Sequence, residues 1–153
     1  MILKSKKIYL KDFRLHELEE YLISIGEPKF RGKQIFNWMY DNLAENFTEM
    51  GNLPISLREK LDNVAQVNTL KLVSTQASIN TETVKYLFET FDGKKIESVI
   101  IPENGRRTLC ISTQIGCPLD CKFCATGLMG YTRNLSTGEI IDQFIQTTKA
   151  QDP

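Results

Sequence analysis

The first 109 residues of this 153-residue chain contain no cysteine. A disulfide framework spreads its cysteines to close long loops, so none is expected over most of the chain. No apolar run approaches the ~20 residues of a membrane-spanning helix. The opening Met1-Ile-Leu-Lys-Ser-Lys-Lys7 places charge where a secretory signal carries its apolar region, so no signal peptide is read and the cytoplasm is the expected compartment. An excess of either charge is also lacking: 19 basic residues balance 19 acidic ones. Binding a polyanion by charge alone is therefore not indicated, and an RNA partner is neither supported nor excluded. Histidine is reduced to one, His16, read as an exposed helical residue with no catalytic partner. There is no internal repeat and no low-complexity stretch. What remains is 41% hydrophobic and 25% charged, the composition of a soluble globular protein with a packed core, in one domain or two small ones.

Hydrophobic spacing divides the chain into three sections. In the first, Leu15, Leu18, Leu22 and Ile25 recur at helical intervals until Gly26 and Pro28 stop the pattern. A second helix is expected over 31–42, with Ile35, Phe36, Met39 and Tyr40 on one side and Trp38 near it. Pro54 opens a third, carrying Leu57, Leu61 and Val64, at a position where its missing N–H costs least. The second section is rich in strand formers. Val84–Phe91 and Lys95–Ile101 face each other across Asp92-Gly93, a strong hairpin signal, and Ser78–Thr83 reads as a turn. Pro102-Glu-Asn-Gly105 is expected to break the chain before the third section. There Thr108–Thr113 reads as a short buried strand, and Ser136-Thr-Gly-Glu139 as the capping box of a helix with Ile140, Ile141, Phe144 and Ile145 beneath it. The expected divisions are 1–67 helical, 68–104 an antiparallel β-meander, and 105–153 the start of an α/β core. One strand and one helix cannot complete such a core, because crossover units need neighbours to cover them. The chain is therefore expected to be cut short.

All four cysteines fall between 110 and 124, a crowding that suits a metal site. Cys117-Pro-Leu-Asp-Cys121-Lys-Phe-Cys124 spaces three thiols as C-x3-C-x2-C in the loop between a strand and a helix. Three thiolates can hold three irons of a cubane cluster and leave the fourth without a protein ligand. An open coordination position is what a catalytic metal centre needs. The alternatives are a zinc site with Cys110 as fourth ligand, and free thiols.

This spacing, with Phe123 just before the last cysteine, resembles the signature of the radical-SAM superfamily. The resemblance implies a [4Fe–4S] cluster on Cys117, Cys121 and Cys124, with S-adenosylmethionine at the open iron and Phe123 beside the cofactor. Arg106-Arg-Thr-Leu-Cys110 through Gly116-Cys117, then Cys124-Ala-Thr-Gly127 and Arg133-Asn-Leu135, look like the core of the RlmN-type adenine C2 RNA methyltransferases. Lys29 through Trp38 and Asn52-Leu-Pro54 through Arg58 are similar to that family's N-terminal helical domain. The resemblance covers nearly the whole chain in order and stops well before the family's full length.

It implies an α+β fold: a helical domain, a small antiparallel meander, and the first β/α unit of a truncated radical-SAM partial barrel. It implies methylation of carbon 2 of adenine in large-subunit ribosomal RNA and transfer RNA, by a cytoplasmic, monomeric enzyme fed by a flavodoxin-type reductant. Carbon 2 is an electron-poor ring carbon with no lone pair, so a radical on a protein-bound methyl group adds where an ordinary methyl donor cannot. Cys110 is then the residue that resolves the protein–RNA crosslink through a transient disulfide. Its methyl-carrying partner and the later SAM-binding segments have no counterpart here, so the fragment itself is expected to be inactive. Lys29, Arg31, Lys33 and Arg58 are the RNA-contact candidates, as phosphate-positioning groups. Competing readings are a C8-specific ribosomal RNA methyltransferase of the same family, a non-catalytic zinc- or RNA-binding module, and a radical-SAM enzyme acting on a small molecule.

Overall fold

The computed structural model describes residues 7–119, 122, 124–128 and 130–151. These form an α+β structure in two compact units, 1–69 and 70–153.

The first unit opens with a short strand, β1 (Ile8–Tyr9), and a 3-10 turn over Leu10–Asp12. Helices α1 (Leu15–Ser24), α2 (Phe30–Tyr40) and α3 (Ile55–Val64) follow, then β2 (Ala65–Gln66). β1 and β2 pair in parallel, Ile8 opposite Ala65, and so bring the two ends of the unit together. α1 stops as its sequence indicated. The Glu27 N–H donates to Leu22 O and the Gly26 N–H to Ile23 O, both at 2.9 Å, satisfying carbonyls the helix leaves open. Pro54 is the N-cap of α3. Leu18, Leu22, Ile35, Met39, Leu57 and Leu61 are fully or almost fully buried, so the helical spacing identified the core correctly. Val64 is the exception at 43% exposed, because it ends the last turn of α3 just before the chain extends into β2. α1 and α2 pack closely at Gly32, where a Cβ would lie 2.7 Å from Glu19 Cγ.

The second unit is built on a four-stranded antiparallel sheet, β3 (Lys71–Ala77), β4 (Val84–Glu89), β5 (Lys95–Glu103) and β6 (Arg106–Cys110), in that order. Period-two alternation puts Tyr86 and Phe88 of β4, and Ile96 and Ile100 of β5, on one buried face. The hairpin at Asp92-Gly93 forms, with Phe88 opposite Ile96.

The break expected at 102–105 does not occur. β5 runs on through Pro102 and Glu103, and Asn104 and Gly105, with φ of 49° and 76°, turn the chain into β6. An Asn-Gly pair with both φ positive is a tight hairpin turn. Pro102 is tolerated because the β4 ladder ends at Ile100, leaving β6 as the one partner of the last residues of β5. Of the segment expected as a buried strand over 108–113, only 108–110 are strand; they belong to β6, the edge strand of the meander, and are largely exposed.

Beyond it lie β7 (Gln114–Ile115), α4 (Ala125–Leu128), β8 (Arg133–Asn134) and α5 (Thr137–Lys149), with β7 and β8 paired antiparallel. The capping box on α5 is present: Ser136 Oγ accepts the Glu139 N–H, and the Glu139 carboxylate accepts the Ser136 N–H. The face of α5 matches expectation at Ile145, which is buried, and at Ile140, which packs against the sheet core, and differs elsewhere. Glu139, Asp142, Gln143, Ile145, Gln146 and Thr147 are buried, whereas Phe144 is 56% exposed. The inward polar groups serve backbone that no strand ladder satisfies. Asp142 accepts the Leu70 N–H and Gln146 donates to Leu70 O, each at 2.9 Å. Gln143 accepts the Ser112 N–H and donates to Ser112 O, each at 2.8 Å. Buried backbone polar groups must be paired, and here a helix side supplies the partners. No helix among the described residues is long and apolar enough to cross a membrane.

Candidate functional site

The cysteine loop spans 116–132, between the two strands of the β7–β8 pair. Ile115 lies opposite Arg133, and Ile115 O also accepts the Thr132 N–H at 2.9 Å. The two ends of the loop are therefore held side by side. Gly116 makes the closure possible. Its φ is +75°, and a Cβ there would lie 1.6 Å from Gly130 O, so any other residue would force the backbone apart. Cys117 follows at once and is half-buried. Cys124, also half-buried, comes immediately before α4 and accepts the Leu128 N–H through its carbonyl at 3.1 Å. Cys121 and Phe123 lie outside the described residues.

Cys110 ends β6 and is exposed. Neither it, Cys117 nor Cys124 is in a disulfide. No group of three His, Cys, Asp or Glu side chains converges among the described residues; the middle thiol of the motif is not one of them. Cys117 and Cys124 suit a thiolate-held metal group. They are soft donors on a loop pinned at its base, in positions neither sealed from solvent nor fully exposed.

The far end of the loop is tied down by Arg133, which the sequence reading noted without assigning a role. Its NH1 and NH2 donate to the two carboxylate oxygens of Glu139 at 2.7 and 2.8 Å. Nε and NH2 donate to the two oxygens of Asp92 at 3.1 and 2.9 Å, and NH1 also reaches Asn134 O at 3.1 Å. All five N–H donors of the guanidinium are thus used, and its charge sits 4.8 Å from the centre of the Phe91 ring. The hydrogen bonds from Arg133 hold the Asp92 carboxyl well below the usual carboxylate range, and those to Glu139 and Asp92 raise the guanidinium further above its own. One side chain so joins β8, the hairpin tip at 91–92 and the first turn of α5.

The RNA-contact candidates sit on the first unit in different states. Lys29 faces Glu19 at 3.5 Å. Arg31 donates to Gln34 at 2.7 Å and to Asn52 O at 3.2 Å. Arg58 donates to Thr48 O at 3.0 Å, with its Nε buried. Lys33 is exposed on α2 and borders a cleft of ≈ 400 Å³ together with Phe30, Gln34, Asn37, Trp38, Asn42 and Asn52. Trp38, expected near the core face of α2, packs partly against that core, and Phe30 had no expected role. The signal that could have found the cleft is the run 30, 33, 34, 37, 38, one face of a helix carrying two aromatics, two amides and a lysine.

Comparison with known proteins places both units. Residues 8–67 match the family model described as the ribosomal RNA large subunit methyltransferase N-terminal domain. The dual-specificity RNA methyltransferase RlmN of Geotalea uraniireducens is 44% identical over 148 residues, 97% of this chain and 43% of that protein. A probable dual-specificity RNA methyltransferase RlmN of Bacillus thuringiensis subsp. konkukian is 41% identical over 150 residues, 98% of this chain and 41% of that protein. The crystal structure of a radical SAM methyltransferase from Sphaerobacter thermophilus superposes with a TM-score of 0.88 at 41% identity, covering 95% of this chain and 43% of that one. The chain spans less than half the length of each of these relatives.

Proposed function

From the premise that this chain is RlmN-type over nearly its whole length, we propose that it forms part of a radical-SAM enzyme. That enzyme methylates carbon 2 of adenine in large-subunit ribosomal RNA and transfer RNA. The observation that carries the reading is the 44% identity over 97% of the chain, which takes in the helical unit and the cysteine loop together. A zinc module or a small-molecule enzyme would share the cysteines without the RNA methyltransferase N-terminal domain at 8–67.

Cys117, Cys121 and Cys124 are the residues that would hold a [4Fe–4S] cluster, with Phe123 beside it. Bound together with S-adenosylmethionine, that cluster supplies the one-electron chemistry that makes a carbon radical from a sulfonium. The chain's own residues do the rest of the work assigned here. Gly116 and the β7–β8 pair fix the ends of the loop, and Arg133 locks its exit to the sheet and to α5. Such pinning holds ligands in place before metal arrives, which lowers the ordering cost of binding.

Cys110 is the resolving thiol in this reading. Its exposed position at the end of β6 leaves the sulfur open to a second sulfur, as in-line exchange requires. The thiolate attacks the sulfur that links enzyme to adenine. An S–S bond forms, the S–C bond breaks, and the electron pair stays on the carbon that takes a proton to become the methyl group. The methyl-carrying cysteine is assigned to a part of the enzyme this chain does not span. The helical unit handles RNA, with Lys33 the candidate most open to a phosphate. A flavodoxin-type protein supplies the electron, and the enzyme works as a cytoplasmic monomer.

Product mapping tests the reading. Ribosomal and transfer RNA from cells with and without the complete gene are digested and separated by mass spectrometry. The expected product is 2-methyladenosine in both RNAs. Methylation at carbon 8, or no methylated adenine, would contradict it.

A further inference from the structure

Helix α2 has two faces of different character. Gly32, Ile35 and Met39 point into the core. Phe30, Lys33, Gln34, Asn37 and Trp38 line the opposite cleft, with Asn42 and Asn52 at its margin. An ordinary solvent face of a helix carries charges. This one carries two aromatics, two side-chain amides and a single lysine, and Asn42 and Asn52 beyond the helix bring the cleft to four amides with no carboxylate in its lining.

The aromatics are held in place. Trp38 Nε1 donates to Asn52 Oδ1 at 2.6 Å, which fixes the indole against the rim. The guanidinium of Arg31 lies over the Phe30 ring at 4.8 Å and is itself tied to Gln34 and Asn52. A cation so placed occupies one face of the ring, yet Phe30 is still 57% exposed. A large apolar ring kept in solvent and braced from one side is a platform with a face to offer. The Asn37 side-chain amide has no hydrogen-bond partner among the described residues. The cleft, at ≈ 400 Å³, falls within the range of small-ligand pockets, about 300–1,000 Å³.

We infer that this cleft takes an unpaired nucleobase of single-stranded RNA, stacked on Phe30, with its edge toward the Asn37 and Asn42 amides and its phosphate toward Lys33. Aromatic platforms, amides for base edges and isolated cations are the means by which proteins hold unstacked bases. A duplex would offer only phosphates to this surface and leave the ring in water. The inference rests on the reading of the helical unit as RNA-handling and adds to it the form of RNA and the residues that grip it.

Trp38 is the chain's one tryptophan, so its fluorescence reports on the cleft directly. The chain is titrated with a short single-stranded RNA and with the same sequence as a duplex, following Trp38 emission alongside the anisotropy of end-labelled RNA. The single strand is expected to bind and quench Trp38, and the duplex to bind severalfold more weakly without quenching. Phe30→Ala should lower single-strand affinity about tenfold, and Phe30→Tyr should restore it. Anisotropy that rises while Trp38 stays unquenched and Phe30→Ala binds normally would overturn the cleft and leave RNA handling intact. Equal quenching by duplex would also overturn it. Anisotropy that rises with neither RNA would overturn both.

Discussion

At the scale of single residues, Arg133 ties β8 to the hairpin tip at 91–92 and to the first turn of α5. It meets two carboxylates in bidentate fashion, one of them the nearly fully buried Glu139. Arg133→Gln removes the cation and leaves that carboxylate buried and uncompensated, so a loss of roughly 3 kcal/mol is expected in chemical denaturation. Arg133→Lys should recover less than half of it, because an ammonium cannot reproduce the planar fork. Asp92→Asn is milder, about 1 kcal/mol at neutral pH, since this carboxylate is partly solvated and its pair is screened. The pH dependence has a definite sign. The folded protein holds the Asp92 carboxyl below its unfolded value, so its contribution is complete above about pH 4–5 and is lost as pH falls from about 4 toward the folded value. The gap between wild type and Asp92→Asn should therefore narrow only below about pH 4. Cys110→Ala should leave the iron content of anaerobically prepared protein unchanged, because that thiol is assigned to the methyl-transfer chemistry and not to metal binding.

Elements show what a sequence can and cannot disclose. The α5 capping box, the Asp92-Gly93 hairpin and the stop at Gly26 were legible because each is decided by residues within one turn of chain. The buried face of α5 was legible only at Ile140 and Ile145. Ile141 and Phe144 outrank Asp142, Gln143 and Gln146 in hydrophobicity, yet those three polar side chains turn inward. The cause lies at residues 70 and 112, whose backbone groups need partners and are 31 to 76 positions away. The edge position of β6 was hidden for a similar reason, since Pro102 reads as a break until β4 is known to begin at Val84, opposite Ile100. The C-x3-C-x2-C spacing is written in the sequence and its role belongs to the proposal, whereas the Arg133 brace joining Asp92 and Glu139 could not be read there. Gln143→Leu should cost roughly 3 kcal/mol, with the buried Ser98 hydroxyl and two part-buried backbone groups of Ser112 losing their partner. The control is Phe144→Ser, on the exposed side, which should change stability by less than about 0.5 kcal/mol. Gly116→Ala should spare the helical unit, seen as retained helical circular dichroism, while iron binding by the loop falls severalfold.

Over the whole molecule, two units with separate cores carry the two proposed sites. The helical unit, 1–69, bears the aromatic and amide cleft, and the second unit, 70–153, bears the cysteine loop. The chain spans 43% of its RlmN relative, so the proposed methyl transfer belongs to a longer assembly of elements than the ones described here. The proposed cluster site does not depend on that remainder, because its three proposed ligands fall in one sequence segment whose two ends are clasped by the β7–β8 pair. Anaerobic reconstitution of this chain with iron and sulfide, followed by metal analysis and visible absorbance, is the most direct test. A brown protein with about four irons and four sulfides per chain is expected, with colour and iron both lost in Cys121→Ala. A colourless protein carrying one zinc per chain, or iron that persists in Cys121→Ala, would contradict the account.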